Sequence, residues 1–311
     1  MKRITVLALV FFVSGLPAFA ASLATAARSV IPQEVQQIIN VDYRRMKNSD
    51  TAMQMKSKLM PPNMKQFEDA LKDIGVVVDR DMDQITLASF RSKDRGLQII
   101  GIAQGIFPRK QIYLKLSKQK IKGNKVNGSF IYPMSGGLSM VFLDNWTMLF
   151  GEQSAVKAAL DARDGSGRSL NANAEITDMI ASVDRGTVWS VLDSKGTQTM
   201  LKSALGPASN LAEYDTLKGH LTGSHYTLDF DHGIDFNLKV VTSDNMTAAT
   251  LSSVLKAGLL LKKMDATATE KTAIEDTSVD SDAGKLVVHF KADDKNFQAL
   301  MDSPMFAAVT R

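Results

Sequence analysis

The sequence predicts an α+β fold made of two similar modules, each an antiparallel sheet with helices packed on one face. Three observations predict this class. Short β-prone runs alternate with segments whose apolar residues recur at helical spacing. Neighbouring β-prone runs are separated by turn-forming residues, as in antiparallel hairpins. The order of elements (strand, helices, hairpin, helix, hairpin, helix) occurs in the first half and again in the second, which indicates an internal duplication.

The first module is predicted to extend from residue 32 to residue 165. It begins with a strand over 35–43, and Asn48 or Ser49 caps the helix that follows. Asn63 starts a second helix, which Gly75 ends. The remaining predicted elements are strands over 84–91 and 97–105, a helix over 110–118, strands over 127–132, 138–143 and 147–150, and a helix over 152–162.

The second module is predicted over 174–311, after a polar linker over 166–173. Thr227 and Leu228 repeat the Thr-Leu pair found at residues 86 and 87 of the first module. The predicted elements are a helix capped by Asn173, a strand over 188–192, helices over 197–205 and 207–221, a hairpin over 224–241, a helix capped by Asn245, strands over 274–279 and 286–291, and a last helix capped by Asp293 or Asp294.

The hairpin over 224–241 can be assigned a register from its pattern. A three-residue turn over 231–233 keeps one face apolar, whereas a two-residue turn mixes apolar and polar residues on both faces. The three-residue turn places Asp229 opposite Asp235. Two like charges in these positions are unfavourable, so water, a nearby cation or a bound ion must relieve them. Asp229 and Asp235 are therefore candidate metal ligands, and the alternative is a solvated face with a Lys or Arg nearby.

The first twenty residues have the pattern of a secretory signal peptide. Lys2 and Arg3 precede an apolar run over 4–16, and Pro17 leads into the Ala-Phe-Ala site over 18–20. This pattern predicts export to the periplasm or the exterior. It leaves residues 21–31 as a flexible start of the mature chain, with no transmembrane segment after cleavage. The alternative is an uncleaved anchor, because residues 4–27 are nearly apolar enough to span a bilayer.

Composition excludes several function classes. The chain has no cysteine, which excludes disulfides, thiol catalysis, iron–sulfur clusters and the common structural zinc sites. Removal of residues 1–20 takes away Lys2 and Arg3 and lowers the net charge from +4 to +2. Such a balanced charge gives no reason to expect nucleic acid as a partner. The densest basic stretch, over 109–125, is interpreted as a solvated loop and helix end, with an anionic surface or ligand as the alternative.

No motif in the sequence assigns a catalytic or cofactor-binding residue, and we expect no cofactor. The four histidines have no zinc-site spacing, and no G-x-S-x-G nucleophile motif is present. Residues 165–169 (GSGRS) lack the ending of a phosphate-binding loop and are interpreted as linker. Residues 79–83 have the Asp spacing of a calcium loop, but the glycine and glutamate that such a loop requires are missing.

Acidic residues recur at predicted strand ends in both halves. Asp42 corresponds to Asp193, and Asp144 corresponds to Asp293. Aspartate is favoured where a strand gives way to a helix, so these positions predict caps and turns rather than a carboxylate pair for catalysis. The two tryptophans, at 146 and 189, are predicted to lie in the core.

Parts of the sequence resemble uncharacterised exported bacterial proteins, and no characterised family is matched. The similarity lies in residues 31–42 (IPQEVQQIINVD), 142–144 (FLD), 150–152 (FGE) and 155–160 (AVKAAL). It covers most of the first half and a little of the second. These motifs are structural, so the resemblance implies an exported α+β protein and assigns no activity or site.

Three functional hypotheses follow. The first is an extracytoplasmic protein with a non-catalytic binding or envelope-associated role, whose partner is an envelope protein or an apolar ligand. The second is an extracytoplasmic hydrolase whose dispersed carboxylates or serine only the fold brings together. The third is a carrier with an apolar cavity. A cleft with converging titratable groups would favour the hydrolase, and a large apolar cavity would favour the carrier.

Overall fold

The protein is built on one broad antiparallel sheet. The computed structural model describes residues 23–60, 62–92, 94–205 and 214–309, and within these ranges twelve strands join in a single sheet. The strands are β1 (Val35–Asp42), β2 (Met82–Ser92), β3 (Gly96–Gly105), β4 (Asn124–Val126), β5 (Ser129–Pro133), β6 (Ser139–Phe142), β7 (Thr147–Gly151), β8 (Val188–Asp193), β9 (Leu221–Asp229), β10 (Ile234–Thr242), β11 (Thr277–Asp282) and β12 (Lys285–Ala292). The α+β class is confirmed.

Fourteen α-helices connect and cover these strands in the same ranges. They are α1 (Thr25–Val30), α2 (Tyr43–Met46), α3 (Asp50–Leu59), α4 (Pro62–Ile74), α5 (Val78–Asp81), α6 (Arg109–Lys118), α7 (Gln153–Arg163), α8 (Ala174–Val183), α9 (Ser194–Leu205), α10 (Tyr214–Leu217), α11 (Asn245–Asp265), α12 (Ala268–Glu275), α13 (Asp294–Met301) and α14 (Pro304–Val309). Short 3₁₀ turns complete several of the loops.

The strand order is the same in both halves of the chain. β1 and β8 pair at the middle of the sheet, and each half extends outward from there. The first half continues as β2, β3, β7 and β6, and the second as β9, β10, β12 and β11. The repeated Thr-Leu pair lies on corresponding strands, β2 and β9. This order supports the internal duplication. The exact module boundaries stay a prediction.

Helices cover both faces of the sheet, whereas the sequence predicts one covered face. On β2, Ile85 and Leu87 face one core cluster, with α2 to α6 and α12 to α14, while Ala88 and Phe90 face a second cluster, with α1, α7 and α8. A third cluster packs α9 to α11 on the outer strands of the second half. The reason lies in the strands themselves, because β6 and β7 are buried at every position and therefore need cover on both faces.

The start of the described chain and the predicted linker pack against each other. Residues 23–31, expected to be flexible, contain helix α1, and Leu23 and Ile31 are buried. The amide of Leu23 donates to Asp184 Oδ1 at 3.0 Å. In the linker, Leu170 is buried and its amide donates to the carbonyl of Ile31 at 2.7 Å. The signal sequence over 1–20 lies outside the described residues.

Three predicted elements differ from the structure. The expected strand over 274–279 begins only at Thr277, because Thr267 and Glu270 form a capping box that starts helix α12. Asp244 caps α11 in place of the neighbouring Asn245. Of the expected helix over 207–221, residues 207–213 lie outside the described ranges. The rest forms α10, a 3₁₀ turn and the first residue of β9.

The predicted register of the second-half hairpin is confirmed. Leu228 pairs with Phe236, and Tyr226 pairs with Leu238. The turn uses two residues with positive φ, His232 at 57° and Gly233 at 127°. A Cβ at position 233 would lie 2.1 Å from the carbonyl oxygen of Ala292, so this turn requires glycine.

His225 of this hairpin should make folding stability depend on pH. Burial lowers its pKa from 6.5 to about 4, and the positive charges of Lys239 and Lys285 add to the effect. The unfolded chain therefore binds the proton more readily than the folded protein. The contribution of neutral His225 to the free energy of unfolding is complete above about pH 6.5 and is lost as pH falls toward 4. With allowance for partial solvent exposure, we expect a loss of about 1–2 kcal/mol.

Urea unfolding of the wild type and the His225→Gln variant at neutral and acidic pH checks this expectation. The variant should lose less stability on acidification than the wild type. His232→Asn is the matched control, since the His232 side chain is 96% exposed. Equal pH dependence in wild type and His225→Gln would contradict the assignment.

Candidate functional site

An apolar groove opens where the hairpin β2–β3 extends past the neighbouring strand. In the described chain, β7 pairs with β3 only from Ile100 to Gln104, which leaves Gly96 to Ile99 without a neighbour on that side. The space beside them has a volume of about 680 Å³, and we call it the sheet groove. Its lining comprises Gln66, Phe67, Leu87, Arg95, Leu97, Gln98, Ile99, Gly101, Gly136, Gly137, Leu138, Phe150, Gly151, Glu152, Gln153 and Ser154.

Two stacked aromatic rings form the inner end of the sheet groove. The ring centroids of Phe67 and Phe150 lie 3.5 Å apart, and the planes are inclined by 12°. Phe150 lies over Gly101, where a Cβ would come within 2.0 Å of its ring. Glycine at position 101 is therefore required for the ring to lie flat on β3 and stack against helix α4.

Two large aliphatic side chains of β3 line the outer part of the groove. Leu97 and Ile99 alternate with Gln98 and share the face of Gly101, and they are 57% and 51% exposed. Leu87 and Leu138 beside them are half-buried. Adjacent exposed apolar side chains in a concave site are typical of a binding surface, whereas single exposed apolar residues are ordinary.

The rim of the sheet groove is polar. Arg95 and Glu152 are exposed there, and Gln98 Nε2 donates to Ser154 Oγ at 2.7 Å. Glu152 is the one carboxylate among the lining residues, which include no histidine. The lining therefore offers apolar contact and a few polar groups that would orient a bound molecule. It does not offer the paired carboxylates or the nucleophile and base that hydrolysis uses.

The candidate metal ligands Asp229 and Asp235 are opposite each other, as predicted, and both have neighbouring cations. Arg45 Nη2 lies 3.3 Å from Asp229 Oδ1, which also accepts from the amide and hydroxyl of Thr187 at 2.8 Å. Asp235 Oδ1 lies 3.1 Å from His289 Nε2, and its Oδ2 lies 3.9 Å from Lys291 Nζ.

The strand-end aspartates act as caps and turn residues. Asp42 Oδ1 accepts from the amide of Arg45 at 3.1 Å, and Asp193 Oδ1 accepts from that of Gly196 at 2.7 Å. Asp293 caps α13 through the amide of Asn296. Asp144 accepts two amides in the turn before β7. None of the four is among the lining residues of the sheet groove.

The two tryptophans have different environments. Trp189 is fully buried, as predicted, but Trp146 is 58% exposed, so the expectation that it lies in the core is wrong. The physical reason is the tight turn that Asp144 stabilises, because Asp144 Oδ1 accepts from the amide of Trp146 at 2.7 Å. This turn projects the indole outward.

A buried tyrosine forms the most strongly perturbed polar network. The hydroxyl of Tyr43 donates to Asp79 Oδ1 at 2.5 Å and accepts from Lys56 Nζ at 2.7 Å, and Lys56 also contacts Glu68 at 2.7 Å. Burial, followed by the hydrogen bond to Asp79, raises the pKa of Tyr43. The phenol therefore stays protonated and ties α2 to α3 and α5. It is not part of the groove lining.

No motif in the sequence pointed to the sheet groove. The available signal was residues 97–102 (LQIIGI), which have apolar side chains on both faces of the strand and a glycine at position 101. That pattern indicates a buried strand. Its first residues are an open surface only because β7 ends opposite Ile100 and does not cover them.

The geometry defines a protein with one wide antiparallel sheet, helices on both faces and an apolar groove at a hairpin end. No family model and no curated protein matches the chain. Among solved structures, crystal form III of TP0453 is similar, with a TM-score of 0.50, 8% identity, and coverage of 88% of this chain and 96% of that one. Crystal form I gives a TM-score of 0.48 and 11% identity over 88% and 95% of the two chains. At these identities the likeness concerns the fold alone.

None of the helices in the described part of the chain has both the length and the hydropathy needed to cross a membrane. In the same residues, no group of three or more histidine, aspartate and glutamate side chains is placed to hold a metal ion. The metal site at Asp229 and Asp235 stays a prediction that titration tests.

Calcium should leave the melting temperature unchanged. Arg45 and Lys291 already place positive charge beside Asp229 and Asp235, so a divalent cation would have to compete with them. Differential scanning fluorimetry with and without millimolar calcium measures this. A rise that disappears in Asp235→Asn would instead assign the pair to a divalent cation.

Replacement of Gly101 by alanine should destabilise the protein by about 1–3 kcal/mol, because the added methyl group displaces Phe150 from its stack on Phe67. Urea unfolding measures the loss. Gly258→Ala is the control, since no atom lies within 4 Å of a Cβ there, and it should be neutral or slightly stabilising. Equal stability of Gly101→Ala and wild type would show that Phe150 moves freely.

Proposed function

We propose that this protein is a non-catalytic, envelope-associated binding protein outside the cytoplasm, and that the sheet groove holds an apolar molecule. One observation carries the proposal, namely the exposure of Leu97 and Ile99 over a groove of about 680 Å³. The secretory pattern over residues 1–20 supports the location.

The physical argument rests on apolar area. Each 100 Å² of apolar surface that a ligand covers in the groove contributes about 2.5 kcal/mol to binding. Leu97, Ile99 and Leu138 provide such surface, and the Phe67–Phe150 stack closes its inner end. Arg95 and Glu152 at the rim suit a ligand with a polar end, such as an amphiphile whose head remains in water.

The hydrolase hypothesis is less well supported. It requires groups with shifted pKa values to converge in one cleft. Burial raises the pKa of Tyr43 and of Asp184 and lowers that of His225. These three residues lie in α2, after α8 and in β9, and none of them lines the sheet groove.

The test measures binding of the neutral apolar probe N-phenyl-1-naphthylamine by fluorescence. The Leu97→Thr/Ile99→Thr variant keeps β-branched residues on β3 and should weaken probe binding about tenfold, since two apolar contacts are reduced. Leu260→Gln/Leu261→Gln is the matched control, because these side chains of α11 are also more than half exposed.

The control should bind the probe like the wild type. Equal affinity of the groove variant and the wild type, with both folded by circular dichroism, would overturn the proposal. If the groove variant binds the probe more weakly, as expected, mass spectrometry of an organic extract of the protein purified from its native envelope identifies the natural ligand.

A further inference from the structure

A second concave surface lies between helix α6 and the β4–β5 hairpin. It has a volume of about 790 Å³ and is separate from the sheet groove. Its walls include Tyr113 and Tyr132, and its edges include Lys120, Lys122 and Phe130. We call it the basic cleft. A ligand of the basic cleft is independent of the function proposed for the sheet groove.

The segment that forms the basic cleft is strongly and uniformly positive. Residues 95–143 contain eight lysines and arginines and no aspartate or glutamate. By contrast, the whole chain has 37 basic and 33 acidic residues. The sequence predicts a solvated loop and helix end for this basic stretch; in the fold, Lys120 and Lys122 line the cleft, and Lys125 lies on the adjoining strand β4. A concave surface of a single sign attracts a partner of the opposite sign.

The lysines of this segment, of which Lys120 and Lys122 line the cleft, are available to a partner. Lys115, Lys118, Lys120, Lys122 and Lys125 are all exposed. None of them forms an ion pair with any residue that the structure describes, whereas lysines elsewhere, such as Lys56 and Lys263, do. Bringing an anionic partner to these ammonium groups therefore breaks no existing salt bridge.

The hairpin register places an aromatic ring beside this charge. Lys125 pairs with Phe130, so the two side chains share one face of the hairpin. Phe130 is 52% exposed. Tyr132 lies two residues further along β5, so its side chain is on the same face of the hairpin as Phe130. A Cβ at Gly123 would lie 2.9 Å from the Tyr132 ring, so glycine at that position leaves room for the ring.

The tyrosines are held in fixed orientations at the wall of the cleft. The rings of Tyr113 and Tyr132 have centroids 5.7 Å apart. Arg109 Nη2 donates to the hydroxyl of Tyr113 at 3.1 Å, and its Nη1 donates to Asn145 Oδ1 at 2.8 Å. Arg109 thus acts as a positioning residue for Tyr113. A fixed aromatic wall offers a flat face for stacking at little cost in conformational entropy.

We propose that the basic cleft binds an anionic polysaccharide, a chain of sugar rings that carries carboxylate or sulfate groups. Such a polymer presents both features that the cleft complements. Its charges would meet Lys120 and Lys122 of the lining and Lys125 opposite Phe130, and the apolar face of a sugar ring would stack on Phe130 or Tyr132. The concave shape suits a chain rather than the flat surface of a membrane. The secretory pattern favours a polysaccharide over nucleic acid.

The experiment measures affinity for heparin and for polygalacturonate by isothermal titration calorimetry, with neutral dextran as a blank. Both anionic polymers should bind, and dextran should not. If about three lysines take part, affinity should fall at least tenfold between about 50 mM and about 200 mM salt. Failure of both polymers to bind would overturn the proposal.

Variants separate the cleft from general charge attraction. Lys122→Gln/Lys125→Gln should weaken binding about tenfold, and Phe130→Thr about fivefold, since a stacking contact contributes about 1 kcal/mol or more. Lys262→Gln/Lys271→Gln removes the same charge from exposed positions on α11 and α12 and should change affinity less than about twofold.

Three results would contradict the proposal. The first is an equal loss in the Lys262→Gln/Lys271→Gln control, which would indicate attraction by net charge alone. The second is no loss in Phe130→Thr, which would remove the role of the aromatic ring. The third is tighter binding of a single-stranded oligonucleotide or of anionic lipid vesicles than of either polysaccharide, which would assign the cleft to another partner.

Discussion

The structure depends on the pairing of β1 with β8 at the middle of the sheet. Five residue pairs, from Gln37–Leu192 to Val41–Val188, join the two halves of the chain. Without them each half would have a long unpaired edge. Asn40 fixes the adjoining pairing of β1 with β2, because its Oδ1 accepts from Gln84 Nε2 and Thr86 Oγ1 at 2.8 and 2.7 Å in a fully buried site. A buried polar contact of this kind favours one register over its alternatives.

Both proposed binding surfaces lie where the first half of the chain departs from the strand arrangement of the second half. β3 continues past the end of β7, and the sheet groove occupies the uncovered part. The β4–β5 hairpin has no counterpart among the described residues of the second half, and the basic cleft forms where it meets α6. The strands that repeat in both halves therefore form the scaffold, and the proposed binding surfaces form where the two halves differ.

Local patterns in the sequence predicted local structure well. The alternation over 224–241 and the glycine at 233 were sufficient to predict the register, because turn length alone decides which residues are opposite. Aspartates at strand ends are predictable as caps because each accepts the amide of a residue three positions further along the chain. Features that depend on distant partners were not predictable. The cover on both faces, the exposure of Leu97 and the sheet groove all depend on where other strands end.

The two edge strands of the sheet carry charged side chains, and this affects the tendency of the protein to aggregate. β4 has three residues and carries Lys125, and β11 carries Asp280 and Asp282. Short, charged edge strands are poor templates for strand addition by a second copy. A sheet of this width would otherwise present extended backbone to its neighbours at both ends. The polar edges therefore oppose amyloid-like growth in a chain that has no disulfide to restrain it.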